Sequence, residues 1–312
     1  MNRYGVALLP LLLLFTSCAS VTRTVDRSTG AIGEVLLPVS EEVRLGNQLA
    51  SEVNRQEKIH PDAEVQAYVA RVGQRIAAAS RDRRKGITYR FTVIDQPNQI
   101  NAFALPGGHI YVYSGLILAA KSEAELAGVL GHEVGHVTSR HAARALGTAF
   151  GLETLSRLAL GEDPGTLTQL ASAIAAQGYM SRHSRDAERE ADDRGLDYLL
   201  AAGYDATAMP RFFQTLARYT GPSNAISNFF ASHPQPEERA KRLEQSIRSR
   251  RAAKGRAEIV GGFAQIQARL RAGAPKSTAP SGSKQSAPKR STSSGGQKSA
   301  PKTPAPAPRP AG

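Results

Sequence analysis

Residues His132-Glu133-Val134-Gly135-His136 constrain this chain more than any other stretch. The spacing predicts a helix, because imidazoles at i and i+4 then share one helix face, a turn apart. From that face both can reach one metal ion, and zinc takes imidazole nitrogen readily. Glu133 follows the first ring. There it can take a proton from an attacking water without itself ligating, which suits a general base. A catalytic zinc needs three protein ligands, so the fold must bring a donor from elsewhere against this helix.

Residues 186–193 read Asp186-Ala187-Glu188-Arg189-Glu190-Ala191-Asp192-Asp193. Glu188 and Asp192 are four apart, on one face of a predicted helix, and Glu190 points roughly the opposite way. The arrangement offers Glu188 as the third ligand. It leaves Asp192, one turn on, to accept the N–H of a ligating histidine. Glu190 is expected to face solvent near Arg194.

Periodicity places these motifs in an α+β chain that is mainly helical. Residues 40–57 and 62–79 read as helices, the second with Val65, Tyr68, Val69, Val72 and Ile76 at helical spacing. Residues 87–95, 100–105 and 109–113 read as strands of a small antiparallel sheet beside the metal helix, with Gly107-Gly108 as a tight turn. Ser122 opens the metal helix through a capping box with Glu125, and the helix is expected to run to about residue 146. Residues 145–178 read as two short helices split at 161–165, a pair that packs on the core or acts as a lid. Further helices are expected at 184–202, 236–250 and 259–270, with a loop at 222–228.

The ends differ in composition. Residues 1–17 look like an export signal, with Arg3 ahead of an apolar run too short to span a bilayer. Phe15-Thr16-Ser17-Cys18 resembles a lipobox, which makes the chain's sole cysteine, Cys18, the expected lipidated residue. By resemblance to Gram-negative lipoproteins, the following Ala19 implies sorting to the periplasmic side of the outer membrane. Residues 18–38 read as a tether and 39–272 as one domain. The tail, 273–312, holds eight of the 18 prolines and seven Lys and Arg with no acid, and is expected to be disordered. That tail supplies more than half of the net charge of +13. With the basic excess mostly in the tail, no Trp and no nucleic-acid motif, the sequence argues against a nucleic-acid partner.

Three separated motifs resemble the M48 metallopeptidases, which are gluzincins. They are the H-E-x-x-H stretch, the Glu188-x-x-x-Asp192 helix introduced by Ser184-Arg185, and His233-Pro234-Gln235-Pro236-Glu237-Glu238-Arg239. Residues 100–108 and 122–131 are similar to that family's lead-in to the zinc helix, and the resemblance covers about residues 40–250. It implies a zinc-dependent endopeptidase of the lipoprotein-type periplasmic branch, with one zinc per chain on His132, His136 and Glu188. It also implies that substrate lies as an added strand along Asn101-Ala102-Phe103-Ala104, which favours unfolded or misassembled envelope proteins as substrates. The rival expectation is a periplasmic chaperone or assembly factor for outer-membrane proteins, its zinc site largely silenced.

The remaining histidines are weighed against that pattern. His60, ahead of Pro61, is expected to be inert, and His109 to be an exposed strand residue. His141 lies five residues past His136, about 140° round a continuous helix, and so away from the metal. The family pattern gives His183 no role. His233 is expected at the site, either donating to the oxyanion of the tetrahedral intermediate or acting as a fourth ligand. Arg239 is a candidate for stabilising charge or for holding Asp192 or Glu188.

Overall fold

Two helices with apolar stripes come first among the described residues, α1 (Val39–Gln56) and α2 (Ala63–Ser80). Asp62 caps α2 by accepting from the amides of Glu64 and Val65, which supplies the partners that a first turn lacks. In this computed structural model the described residues are 37–177, 183–234, 236–250 and 255–273. The expected signal, Cys18, the tether up to residue 36 and the tail beyond Gly273 lie outside them.

Three short strands follow: β1 (Arg90–Ile94), β2 (Ala102–Ala104) and β3 (His109–Tyr113). The sheet is mixed rather than antiparallel. Its order is β1-β3-β2, with β1 parallel to β3 and β2 antiparallel to it. The reason is burial. Ile110 and Val112 join one apolar cluster, and Tyr111 and Tyr113 join another. A strand buried on both faces belongs at the centre. The chain therefore passes from β1 to the far edge as β2 before the hairpin brings β3 back between them. The hairpin turns on Pro106–Gly108, where Gly107 and Gly108 both adopt positive φ. A side chain at Gly108 would also press 2.9 Å from the Thr88 carbonyl oxygen.

The remaining helices are α3 (Ser114–Ala119), α4 (Glu123–Thr138), α5 (His141–Leu160), α6 (Pro164–Gln177), α7 (Arg185–Ala201), α8 (Ala208–Ala217), α9 (Ser223–Ser232), α10 (Pro236–Ser249) and α11 (Phe263–Gly273). On one side of the sheet α2, α4, α7, α8 and α11 share a core; on the other, α1, α5 and α6 share a second. The α5–α6 pair thus packs on α1, through Leu155, Leu158, Leu167 and Ile174 among others. None of the described helices is long and apolar enough to cross a membrane.

Three further expectations need correction. The metal helix does not continue to residue 146: Arg140 is left-handed (φ 57°), α4 ends at Thr138 and α5 starts at His141. A non-glycine residue there costs on the order of 1 kcal/mol. The Arg140 side chain offsets it by donating to buried Glu42 at 2.7 Å and to the Leu37 carbonyl. Second, residues 223–228, expected as loop, belong to the helix Ser223–Ser232, because Pro222 starts a turn whose Ile226 and Phe229 are buried. Third, α11 begins at Phe263, and residues 259–261 turn their amides to the Glu123 carboxylate.

Candidate metal centre

Two glycines decide how the site assembles. On α4, Gly131 and Gly135 face Gly195 and Ala191 of α7, and a methyl added at Gly135 would lie 2.7 Å from the Ala191 carbonyl oxygen. Backbones this close place the side chains one step further round each helix in direct contact. His132 and His136 come from α4, and Glu188 and Asp192 from α7. His233, just after α9, completes the group.

The ligand-type atoms of His132, His136, Glu188 and His233 all lie within 4.8 Å of one another, and all four residues are buried. His132 Nε2 is 2.9 Å from His136 Nε2 and 3.2 Å from His233 Nδ1. The Glu188 carboxylate oxygens are 3.4 Å from each of the first two rings and 3.2 Å from His233 Nδ1. Four atoms on a tetrahedron about 2.1 Å from a common centre lie about 3.4 Å apart, so the donor set fits a zinc-sized ion. The chemistry fits too, since three imidazoles, which are borderline ligands, outnumber one hard carboxylate, a set suited to a divalent transition metal.

Behind these atoms stands a charged support. Asp192 Oδ1 lies 3.0 Å from His132 Nδ1, the ring nitrogen turned away from the cluster. Arg239 grips Asp192 with two hydrogen bonds of 3.0 and 2.6 Å, pairs with Glu188 at 2.6 Å and lies 4.3 Å over the Phe213 ring. Burial alone would push both carboxyls up. Arg239, followed by His233 and His132, holds Glu188 well below the usual carboxylate range. Arg239 with His132 brings Asp192 down to about 2. Both therefore stay ionised, ready to ligate and to orient.

Glu133 behaves oppositely. Its Oε1 is buried with no hydrogen-bond partner among the described residues, 3.7 Å from His233 Nε2. Burial pushes its carboxyl above the usual range, with His233 and His132 partly opposing. A carboxylate left in that state is free to accept a proton.

A narrow cleft runs over this cluster, lined by Phe103, Ala104, Glu133, His136, His183 and His233 among others. The outer strand β2 forms one wall. The amide of Leu105 bonds the carbonyl of His109, and that of Tyr113 bonds the carbonyl of Asn101. By the alternation of an antiparallel ladder, Ala102 and Ala104 turn their main-chain groups away from β3. The Ala102 amide is met by the Asn101 side chain at 3.0 Å.

Two histidines assigned no part by sequence lie here. His183 stacks on His136 with ring centroids 3.9 Å apart. A cue was available: Ser184 caps α7, so the preceding residue sits at the same helix end as Glu188, one turn away. His141 meets His136 directly, Nδ1 to Nδ1 at 2.8 Å, because the break at Arg140 resets the helix direction. The 140° estimate assumed an unbroken helix. Glu190 does bond Arg194, as expected, and it also reaches His141 Nε2 at 3.3 Å. His60 accepts from the Asp62 amide, and His109 bonds Asn47; both are remote from the cluster.

Comparison with known proteins places this geometry. The model of peptidase family M48 matches residues 63–247, which include every residue of the cluster and its support. Mitochondrial metalloendopeptidase OMA1 of Arabidopsis thaliana is 35% identical over 170 residues, 54% of this chain and 34% of the relative. The beta-barrel assembly-enhancing protease of Yersinia pestis is 29% identical over 220 residues, 67% of this chain and 44% of the relative. Metalloprotease YcaL of Escherichia coli is 31% identical over 212 residues, 67% of this chain and 76% of the relative. The chain thus spans less than half the length of the first two. On the match to the family model and the likeness to YcaL, this chain belongs to peptidase family M48.

Proposed function

We propose that the protein is a zinc-dependent endopeptidase that cuts extended segments of unfolded or misassembled cell-envelope proteins. One observation carries the reading: a buried His132-His136-Glu188 donor set, with His233 beside it, adjoins a Glu133 Oε1 that has no hydrogen-bond partner among the described residues, in a strand-walled cleft. Zinc bound there would act as a Lewis acid on the scissile carbonyl and would make a water acidic near neutral pH. Glu133 Oε1 takes the proton of the attacking water and passes it to the leaving nitrogen. His132 is held in register by Asp192, and Asp192 by Arg239. An extended peptide pairs with the outward main-chain groups of Ala102 and Ala104, displacing the Asn101 side chain from the Ala102 amide. Main-chain pairing accepts any unfolded segment, which favours misassembled proteins as clients. Relatives named for enhancing β-barrel assembly make outer-membrane barrel precursors a natural choice.

His233 supports a second state of the same site. Its Nδ1 stands among the donor atoms, which favours the fourth-ligand role over oxyanion donation. With that position filled, the protein holds clients without cutting them, as a chaperone or assembly factor would. Cys18, lipidated, would keep it at the periplasmic face of the outer membrane; Cys18→Ser should then move it from the membrane pellet to the soluble fraction.

The test is metal content together with proteolysis of unfolded casein. Wild type should bind one zinc per chain and cut. Glu133→Gln should keep the zinc and lose activity by about 10²–10⁴-fold. Full cutting by Glu133→Gln would overturn the general-base role of Glu133, and zinc-loaded wild type that does not cut would refute the endopeptidase reading. His233→Ala should keep zinc and cut faster; slower cutting would restore the oxyanion role.

A further inference from the structure

The two helix histidines are supported unequally. His132 Nδ1 meets a carboxylate directly, Asp192 Oδ1 at 3.0 Å. His136 Nδ1 meets another imidazole, His141 Nδ1, at 2.8 Å. The far nitrogen of His141 is 3.3 Å from Glu190 Oε2, and Glu190 Oε1 accepts from Arg194 at 2.9 Å. His141 is buried, whereas the Glu190 side chain is 38% exposed. A row of polar groups thus leads from the donor cluster to the surface.

We propose that His141 and Glu190 are positioning residues that together do for His136 what Asp192 does alone for His132. The inference rests on reading the cluster as a metal centre. Proton counting carries it. His136 presents Nε2 to the donor set, so when it ligates, its proton sits on Nδ1. That N–H points at His141 Nδ1, which can accept only if its own proton is on Nε2. The Nε2–H then needs an acceptor, and the Glu190 carboxylate is there. Every donor in the row finds one acceptor in only one direction. Without Glu190 the Nε2–H loses its acceptor and that tautomer of His141 loses its support, while in the other tautomer two N–H groups collide at 2.8 Å. Such outer partners fix a ligating ring and raise its basicity. The left-handed Arg140 makes the contact possible by starting α5 beneath His136.

Zinc affinity, measured by competition with a chelating dye, tests this in the full chain. His141→Leu, which removes the acceptor, should weaken zinc binding by about 10–100-fold. His141→Asn sets an amide oxygen close to the place of Nδ1 and should recover most of that loss. Glu190→Gln, at a side chain 38% exposed, keeps an acceptor oxygen but loses the carboxylate charge and should cost about 10-fold. In zinc-loaded wild type, ¹⁵N spectra of labelled histidine should show His141 protonated on Nε2. The proposal falls if His141→Leu and Glu190→Gln both bind within about twofold of wild type, if Asn does no better than Leu, or if His141 carries its proton on Nδ1. Should His141→Leu fail to fold, Glu190→Gln and the wild-type spectrum decide. Wild type that binds no zinc would bring down the metal-centre reading itself, a distinct result.

Discussion

Glu123 shows how much one side chain can organise. It is fully buried, yet its carboxylate accepts from the hydroxyls of Tyr68 and Tyr204 at 2.8 and 2.7 Å. It also accepts from the amides of Ile259, Val260 and Gly261 at 2.8 to 3.0 Å. Burial pushes its carboxyl up, but the donors prevail and hold it below the usual range. This residue ties the start of the metal helix to α2, to the loop after α7 and to the segment ahead of α11. Sequence offered it only as part of a helix start, where Ser122 does accept from the Glu125 amide. Glu123→Gln loses the charge and turns an amide group toward donors. It should cost about 3 kcal/mol of stability, read as a lower midpoint in urea denaturation. A change under about 0.5 kcal/mol would mean the donors find water instead.

At the scale of elements, the contact between α4 and α7 controls the site. Small residues four apart on both helices let the backbones approach. Gly135→Ala forces a methyl against the Ala191 carbonyl, which is backbone and cannot swing aside. Overpacking of this kind costs about 1–3 kcal/mol. Because Glu188 rides on α7, zinc affinity should fall along with the melting temperature. Gly128→Ala is the control. Its methyl would meet Met209 of α8 at 3.2 Å, two turns before Gly135 and clear of α7, and should lower stability without a specific loss of zinc. Equal zinc affinity in the two variants would show that helix spacing does not set the ligand geometry.

For the whole molecule, acid is the sharpest probe. Burial pushes His109 down to about 4, with Arg90 adding to it, while its Nε2 bonds Asn47 at 2.9 Å. The folded chain holds this ring neutral and the unfolded chain protonates it at its ordinary value. Stability from His109 is therefore full above about pH 6.5 and is lost as pH falls toward 4. Asp192 stays charged down to about 2, so it does not titrate in that window. His109→Gln should lose less stability than wild type between about pH 7 and 4.5, in urea denaturation at each pH. Equal losses would mean that other groups carry the acid sensitivity.

Short-range spacing identified the metal helix, the later helix with its Glu188 and Asp192, and a strand at His109–Tyr113. These follow from spacings of two, three and four residues, which backbone geometry converts directly into shared faces. Tertiary structure decided the rest. The order of the sheet depended on two cores that flank β3. The break at Arg140 depended on Glu42, nearly a hundred residues earlier, whose carboxylate sustains a backbone conformation that no local preference supports. From that break came the contact of His141 with His136. A side chain's partner across a helix end is set by packing between distant segments, and spacing along one segment carries no record of it.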